Sequence, residues 1–354
     1  MDSQQDRHGQ FQRTRRRRRF AVLWSSVALL CVVLLFAVST GSVTITWKQV
    51  GSLVWQRLAG GTTPDDLRSA STILFDLRLP RVLSMALTGA SLALAGAAYQ
   101  GLFRNPLADP YVIGVASGAG LGATAVLSFL PAEGNLFWVP AGAFVGGVVS
   151  VCLVLAIARQ GGALPSLSLV LSGVAVGALT SSLTTFWMLE SPDGMRRAFS
   201  WILGGYTAGG WAPVVAVLPP LAISALVLQA SSHSLNVFQL GEDAAGGLGV
   251  RVRALRFLVV GAATLATAAA VSFGGLIGFV GLIVPHAARL LVGVDYRWIL
   301  PLSLVAGASL LVSADLAART VLAPREIPVA IVTSLLGAPF FLYLLKRRNR
   351  RDAI

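Results

Sequence analysis

Along this chain apolar residues recur in blocks about 20 long, separated by short polar or charged stretches. That is the length a helix needs to cross a hydrocarbon core roughly 30 Å thick. The blocks run 20–39, 82–102, 111–130, 137–158 and 167–188 in the first half, then 213–230, 254–272, 273–292, 298–318 and 327–345 in the second. The pattern predicts an all-α, polytopic membrane protein with about ten transmembrane helices and both termini on one side. Two connections are long enough to hold structure of their own. The segment Gly41–Pro80 places Val50, Leu53, Val54 and Leu58 at helical spacing, which predicts an interfacial helix. The segment Asp193–Trp211 carries Phe199, Trp201 and Tyr206, aromatics suited to a second interfacial or re-entrant helix.

Composition agrees with the pattern. Of 354 residues, 55% are hydrophobic and only 12% charged, about half the charged fraction of an average soluble domain. The formal net charge of +13 would suit nucleic acid, but the basic residues sit between and beyond the apolar blocks, so nucleic-acid binding is excluded. Seven Arg fall among the first 19 residues, and five Lys or Arg fall between Lys346 and Arg351. Such runs stay in the cytoplasm and rest on anionic membrane lipid. The chain therefore divides into a basic, disordered cytoplasmic tail (1–19), one transmembrane domain (20–345) and a second basic tail (346–354). With both termini cytoplasmic, Arg104, Arg159, Arg251, Arg253, Arg256, Arg289 and Arg297 also fall inside. The first block follows a basic stretch as a signal peptide would, but it is too long for one and lacks an A-x-A site. It is read as the first span of a protein of the cytoplasmic (inner) membrane.

Small residues punctuate the spans at four-residue spacing, as in Gly114/Gly118/Gly122, Gly142/Gly146 and Gly173/Gly177, which allows helix backbones to approach closely. The stretch Gly118–Ala123 resembles a dinucleotide fingerprint, but no strand precedes it, and packing is the better reading. Ionisable residues avoid the span cores, whereas ion-coupled carriers keep carboxylates or histidines there. His8, His233 and His286 stand apart, and Cys31 and Cys152 lie inside apolar blocks. No catalytic residue, metal ligand or cofactor is assigned, and the chain is not read as an enzyme. It has no G-x-x-x-x-G-K-[ST] loop, so energy for active transport comes from a partner chain.

The run Leu77–Gly120, LRLPRVLSMALTGASLALAGAAYQGLFRNPLADPYVIGVASGAG, resembles the hallmark of the FecCD family, permeases for iron-siderophore, haem and vitamin B12 import. Gly275–Gly293 (GLIGFVGLIVPHAARLLVG) and Pro324–Arg347 (PREIPVAIVTSLLGAPFFLYLLKR) are similar to two further family motifs, with Ala330 where the family usually has Gly. The resemblance implies a BtuC-like permease of an ATP-binding cassette importer. Its partners would be a second permease copy or paralogue, a cytoplasmic ATPase dimer and an extracytoplasmic substrate-binding protein. The commonest cargo in the family is a ferric siderophore, with haem and cobalamin as alternatives; a stand-alone secondary transporter is the reading from another class.

The resemblance also marks residues. Arg78, Arg81 and Arg319 match positions that receive acidic residues of the binding protein, a role for which the guanidinium fork is suited. The alternative is that these arginines anchor helix ends or pair locally, Arg78 with Asp76 and Arg319 with Asp315 at i, i+4. The segment around 235–250, including Gly241, Glu242, Ala245, Leu248 and Gly249, resembles the helix that couples the permease to its ATPase. There Glu242 and Asp243 suit a helix N-terminus, and Gly246, Gly247 and Gly249 permit a sharp turn; the alternative is an ordinary charged loop. Ser166 and Leu167 match the cytoplasmic gate region, with a plain helix start as the equal alternative.

Overall fold

A computed structural model describes residues 2–41, 45–60, 67–129, 135–159, 165–204 and 209–352, with side chains described throughout except at 2–13, 58, 135–136, 192–193, 344–345 and 347–352. In chain order the helices are α1 (Asp2–Ser39), α2 (Trp47–Leu58), α3 (Arg68–Thr72), α4 (Leu79–Leu102), α5 (Val115–Phe129), α6 (Asn135–Ala158), α7 (Ser166–Glu190) and α8 (Pro192–Ile202). They continue with α9 (Ala212–Ala230), α10 (Ser232–Phe238), α11 (Glu242–Gly247), α12 (Val252–Gly274), α13 (Val280–Val292), α14 (Tyr296–Thr320) and α15 (Val329–Asp352). A π-helical segment, Ile73–Arg78, joins α3 to α4.

Each expected span corresponds to one of ten apolar helices. Among the described residues seven are long and apolar enough to cross a membrane, and α5, α13 and the apolar part of α15, Val329–Tyr343, are shorter. At 1.5 Å per residue, α13 covers only about 20 Å. The expected spans 111–130 and 273–292 are thus corrected at their starts. The first opens with a 3₁₀ turn, Pro110–Ile113; at the second, α12 runs on to Gly274 and irregular backbone at 275–279, with positive φ at Gly275 and Phe279, precedes α13. Irregular backbone inside an apolar bundle needs partners within the protein, and it has them. Tyr111 Oη donates to the Ile277 carbonyl at 2.9 Å, and Leu276 N donates to the Ile202 carbonyl at 3.3 Å. The basic tail expected to be disordered continues α1 back to Asp2, and α15 runs on to Asp352; Arg, Lys and Gln are good helix formers and no Pro interrupts either stretch.

The helix α4 is the centre of the bundle, buried along almost its whole length and packed on α14, α12, α13 and α9. Glycines allow this. A Cβ at Gly89 would overlap the Gly307 carbonyl of α14, and one at Gly96 the Gly281 carbonyl of α13. The expected small-residue seam joins α5 to α6, where Gly118 faces Gly146 and Gly122 faces Gly142 backbone to backbone. The dinucleotide-like stretch is this seam.

Two flanking helices match expectation. In α2, Leu53 is buried while Trp47 and Trp55 turn outward, and Gln49 caps the start by accepting from Thr46 N at 2.9 Å. In α8, Trp201 is buried and Phe199 exposed, Ser191 Oγ accepts from Gly194 N at 3.2 Å, and Arg197 ties the helix to the Leu127 carbonyl. Leu58's side chain and Tyr206, named with these helices, lie outside the described residues. Cys31 and Cys152 are both exposed on the apolar surface.

Candidate functional site

The two ends of the bundle differ in chemistry. At the end where α1 finishes and α4 begins, the expected arginines come together. Arg78, in the π-helical segment, is buried, and its Nη1 donates to the Val38 and Ser39 carbonyls at 3.3 and 3.1 Å. Arg319 Nη2 donates to the Ala37 carbonyl at 3.3 Å. Both guanidinium groups therefore sit on the C-terminal carbonyls of α1, where cations are favoured. Fully buried Asp315 pairs with Arg319 Nε at 2.9 Å and accepts from Arg81 Nε and Nη2 at 3.1 and 3.0 Å. Arg81 then turns its two terminal nitrogens onto Glu326, a bidentate pair at 3.1 and 2.8 Å.

This geometry changes the expectation that all three forks face a partner. Arg78 and Arg319 spend theirs inside the chain, because the end of α1 presents carbonyls that the helix itself leaves unpaired. The expected Arg319–Asp315 pair is present, whereas Arg78 bonds the end of α1. The outward part of the cluster is Arg81 with exposed Glu326. Sequence reading paired Asp315 with Arg319 alone, not with Arg81, and took Glu326 only as an acid accompanying the arginines. The signal for Asp315 was a lone carboxylate four residues before Arg319 in an apolar run.

At the opposite end, the expected coupling residues form one compact unit. Gly241 (φ +114°) and Gly249 (φ +85°) bracket α11, adopting backbone conformations that side chains disfavour. The turn residues are thus Gly241 and Gly249, while Gly246 and Gly247 belong to α11. Ala245 is fully buried beneath the turn, and its carbonyl accepts from Val250 N at 3.0 Å. Glu242 opens α11 and also forms an ion pair with Arg256, whose guanidinium lies 5.9 Å from the Phe238 ring. Leu240 and Leu248 flank this anchored unit and project outward, 67% and 64% exposed.

Beside it, Asp295 ties three helices together. Its carboxylate pairs with Arg19 at 3.2 Å and Arg297 at 2.9 Å, and accepts from Asn236 at 2.7 Å. Burial alone would raise its pKa, but the hydrogen bonds from Arg297 and Asn236 outweigh that and hold it down at about 2. The expected gate residues stand at the start of α7: Ser166 follows Pro165, and Leu167 is exposed. The adjoining residues 160–164 lie outside the described ones. His286 packs its ring 6.2 Å from Phe340, and His233 lies in α10.

A family model described as the FecCD transport family matches residues 29–347. Among curated proteins, the chain is 41% identical to the cobalamin import system permease protein BtuC of Halobacterium salinarum, over 94% of this chain and 98% of that one. It is 38% identical to the iron(3+)-hydroxamate import system permease protein FhuB of Bacillus subtilis, over 93% of this chain and 84% of that one. It is 40% identical to the hemin transport system permease protein HmuU of Yersinia pestis, over 79% of this chain and 84% of that one. A solved structure described as a metal-chelate type ABC transporter in an inward-facing conformation superposes with a TM-score of 0.79 and 28% identity, covering 93% of this chain and 99% of that one.

Proposed function

The chain belongs to the FecCD transport family as a membrane-spanning permease subunit of an ABC importer, and from that footing we propose that it carries a ferric siderophore across the cytoplasmic membrane, driven by ATP hydrolysed on a separate subunit. The observation that carries the energetic half is the turn 240–249. Leu240 and Leu248 flank a rigid unit whose buried Ala245 and paired Glu242 fasten it to α12. A partner that grips those leucines can push α12, which packs directly on α4 at the centre of the bundle. That is what a coupling helix must do.

The partners proposed with it are an ATPase dimer at this basic, cytoplasmic end, a binding protein at the other, and a second permease copy or paralogue beside the chain. At the outer end Arg81, whose fork holds exposed Glu326, is proposed to exchange that carboxylate for one of the binding protein, with Arg78 and Arg319 holding the platform beneath it. Ser166 and Leu167 are proposed to line the inner gate. The three parts described, basic tail, transmembrane domain and basic tail, act as one permease unit.

Cargo follows the iron-transporting relatives. A second reading, cobalamin, has its own support in the Halobacterium relative, which matches nearly end to end. Uptake of labelled ferric hydroxamate, haem and cobalamin in cells deleted for this gene separates them. Loss of the ferric siderophore alone supports the first reading; loss of cobalamin alone replaces it with the second.

A further inference from the structure

At the basic end a surface-open cavity of about 200 Å³ is lined by Gln100 of α4, Arg289 of α13, Tyr296 of α14 and the connecting residues Arg104, Pro106, Gln239 and Val294. Two of these are cationic and none is acidic. Arg104 follows the end of α4 with a left-handed backbone (φ +49°), and its guanidinium lies 5.8 Å from the Phe238 ring. Arg289, from the last turn of α13, is hydrogen-bonded to Gln100 Oε1. Gln100 is itself buried and fixed by its Nε2 to the Gly281 carbonyl at 3.2 Å, so it positions Arg289 rather than neutralising it. Among the described residues no carboxylate pairs with either arginine; Asp295, next to Val294, pairs with Arg19 and Arg297, and Glu242 pairs with Arg256.

Arg104 is exposed and Arg289 half-buried on the wall of the same pocket, and like charges lining one pocket repel each other. An anion between them removes that repulsion, and phosphate oxygens match the planar fork two at a time. The volume is that of about six or seven waters at roughly 30 Å³ each, which accommodates a phosphate group with residual water and is too small for a chelate the size of a drug molecule. We propose that this cavity is a binding site for a phosphate-bearing anion, with the headgroup of an anionic phospholipid as its occupant.

The lipid source is favoured by what borders the cavity. Val294 on its rim is exposed. Two residues before it, the Val292 carbonyl accepts from Arg19 Nε at 3.0 Å. Arg19 closes the Arg15–Arg19 run of α1, a helix whose apolar stretch is only 11% buried by the protein and so faces lipid. A polybasic run at the membrane surface concentrates anionic headgroups beside this opening. Free phosphate shares the chemistry, and the test separates the two.

The purified full-length permease is examined by native mass spectrometry after exchange into equimolar phosphatidylglycerol and phosphatidylcholine, and by thermal melts with and without millimolar inorganic phosphate. The variants are Arg104→Gln, Arg289→Gln and Val294→Glu, the last placing a carboxylate on the exposed rim without disturbing the interior. Arg325→Gln, at the other end of the bundle, is the control. The expected result is retention of phosphatidylglycerol over phosphatidylcholine, falling roughly tenfold in the three variants, as loss of a charge-assisted contact implies, and unchanged in the control. Stabilisation by inorganic phosphate, lost in the same variants without lipid discrimination, assigns the site to free phosphate and also supports it. Equal behaviour of wild type and all variants towards both probes overturns the proposal. So does a result in which neither phosphate probe separates them while the variants lose the co-purifying ATPase, for then an acidic partner side chain fills the cavity.

Discussion

Replacing Asp315 by Asn isolates the interaction on which the outer end rests. The carboxylate is fully buried and serves two guanidinium groups, Arg319 through Oδ2 at 2.9 Å and Arg81 through Oδ1 at 3.0 and 3.1 Å. The amide keeps the volume but loses the charge. Removing one partner of a buried ion pair costs about 3–5 kcal/mol, most of it the penalty of a stranded charge. Arg81 retains Glu326, so the stranded group is Arg319, and the lower end, about 3 kcal/mol, applies. At about 2.1 cal/mol/K of unfolding entropy per residue, a chain of 354 residues loses roughly 1.3 °C per kcal/mol, which is a fall of about 4 °C in the melting midpoint of the detergent-solubilised protein, read by size exclusion after heating. The double variant Asp315→Asn with Arg319→Gln removes the stranded charge and recovers part of the loss. A single variant within about 0.5 kcal/mol of wild type, the ordinary range of surface substitutions, or a double variant less stable than the single, refutes the reasoning.

Other expectations follow from the same geometry. Gly96→Val drives a side chain into the Gly281 carbonyl and is expected to abolish a monodisperse protein on size exclusion, whereas Gly261→Ala, with open space around it, leaves the profile unchanged. Gly249→Val forces a β-branched residue to φ +85°; ATPase association persists while transport per ATP hydrolysed drops, and normal uptake would show that the turn transmits no force. Arg81→Glu weakens binding-protein association about tenfold or more, the scale of one lost charge-assisted pair, with ATPase association intact; equal affinity in a pull-down titration counts against the docking role. Asp295, its pKa held at about 2 against an unperturbed value near 3.9, contributes stability that is fully present above about pH 4 and is lost as pH falls towards 2. Asp295→Asn is therefore less stable than wild type at pH 7, and the gap closes across that acid window; a gap independent of pH contradicts the assignment.

Much of this architecture was visible in the chain before any coordinates. Hydropathy blocks located all ten apolar helices because burial in lipid leaves a one-dimensional record, and the glycine spacing in α5 and α6 marked a seam because only close backbone contact needs it. The break before α13 was hidden, since residues 275–279 are as apolar as the helices on either side and nothing local says that Phe279 takes φ +68°. Anchoring of a helix end by Arg78 and Arg319 was an open alternative, but that the end is that of α1 was not legible. It depends on the carbonyls of Ala37, Val38 and Ser39, some 40 and 280 residues distant in sequence, and a charge beside a span looks the same whether it faces solvent or the end of another helix. The turn at 241–249 was legible in its glycines, but that Gly241 and Gly249 take positive φ while Gly246 and Gly247 are helical was not.

The central claim is that this bundle is a conduit without its own energy source, worked from its basic end by an ATPase. Its most direct test is accumulation of labelled ferric siderophore in proteoliposomes carrying the permease, its ATPase and its binding protein. The account predicts uptake that requires ATP hydrolysis and all three components, and that disappears with Leu240→Asp and Leu248→Asp together. Concentrative uptake by the permease alone, driven by an ion gradient without ATP, would contradict it.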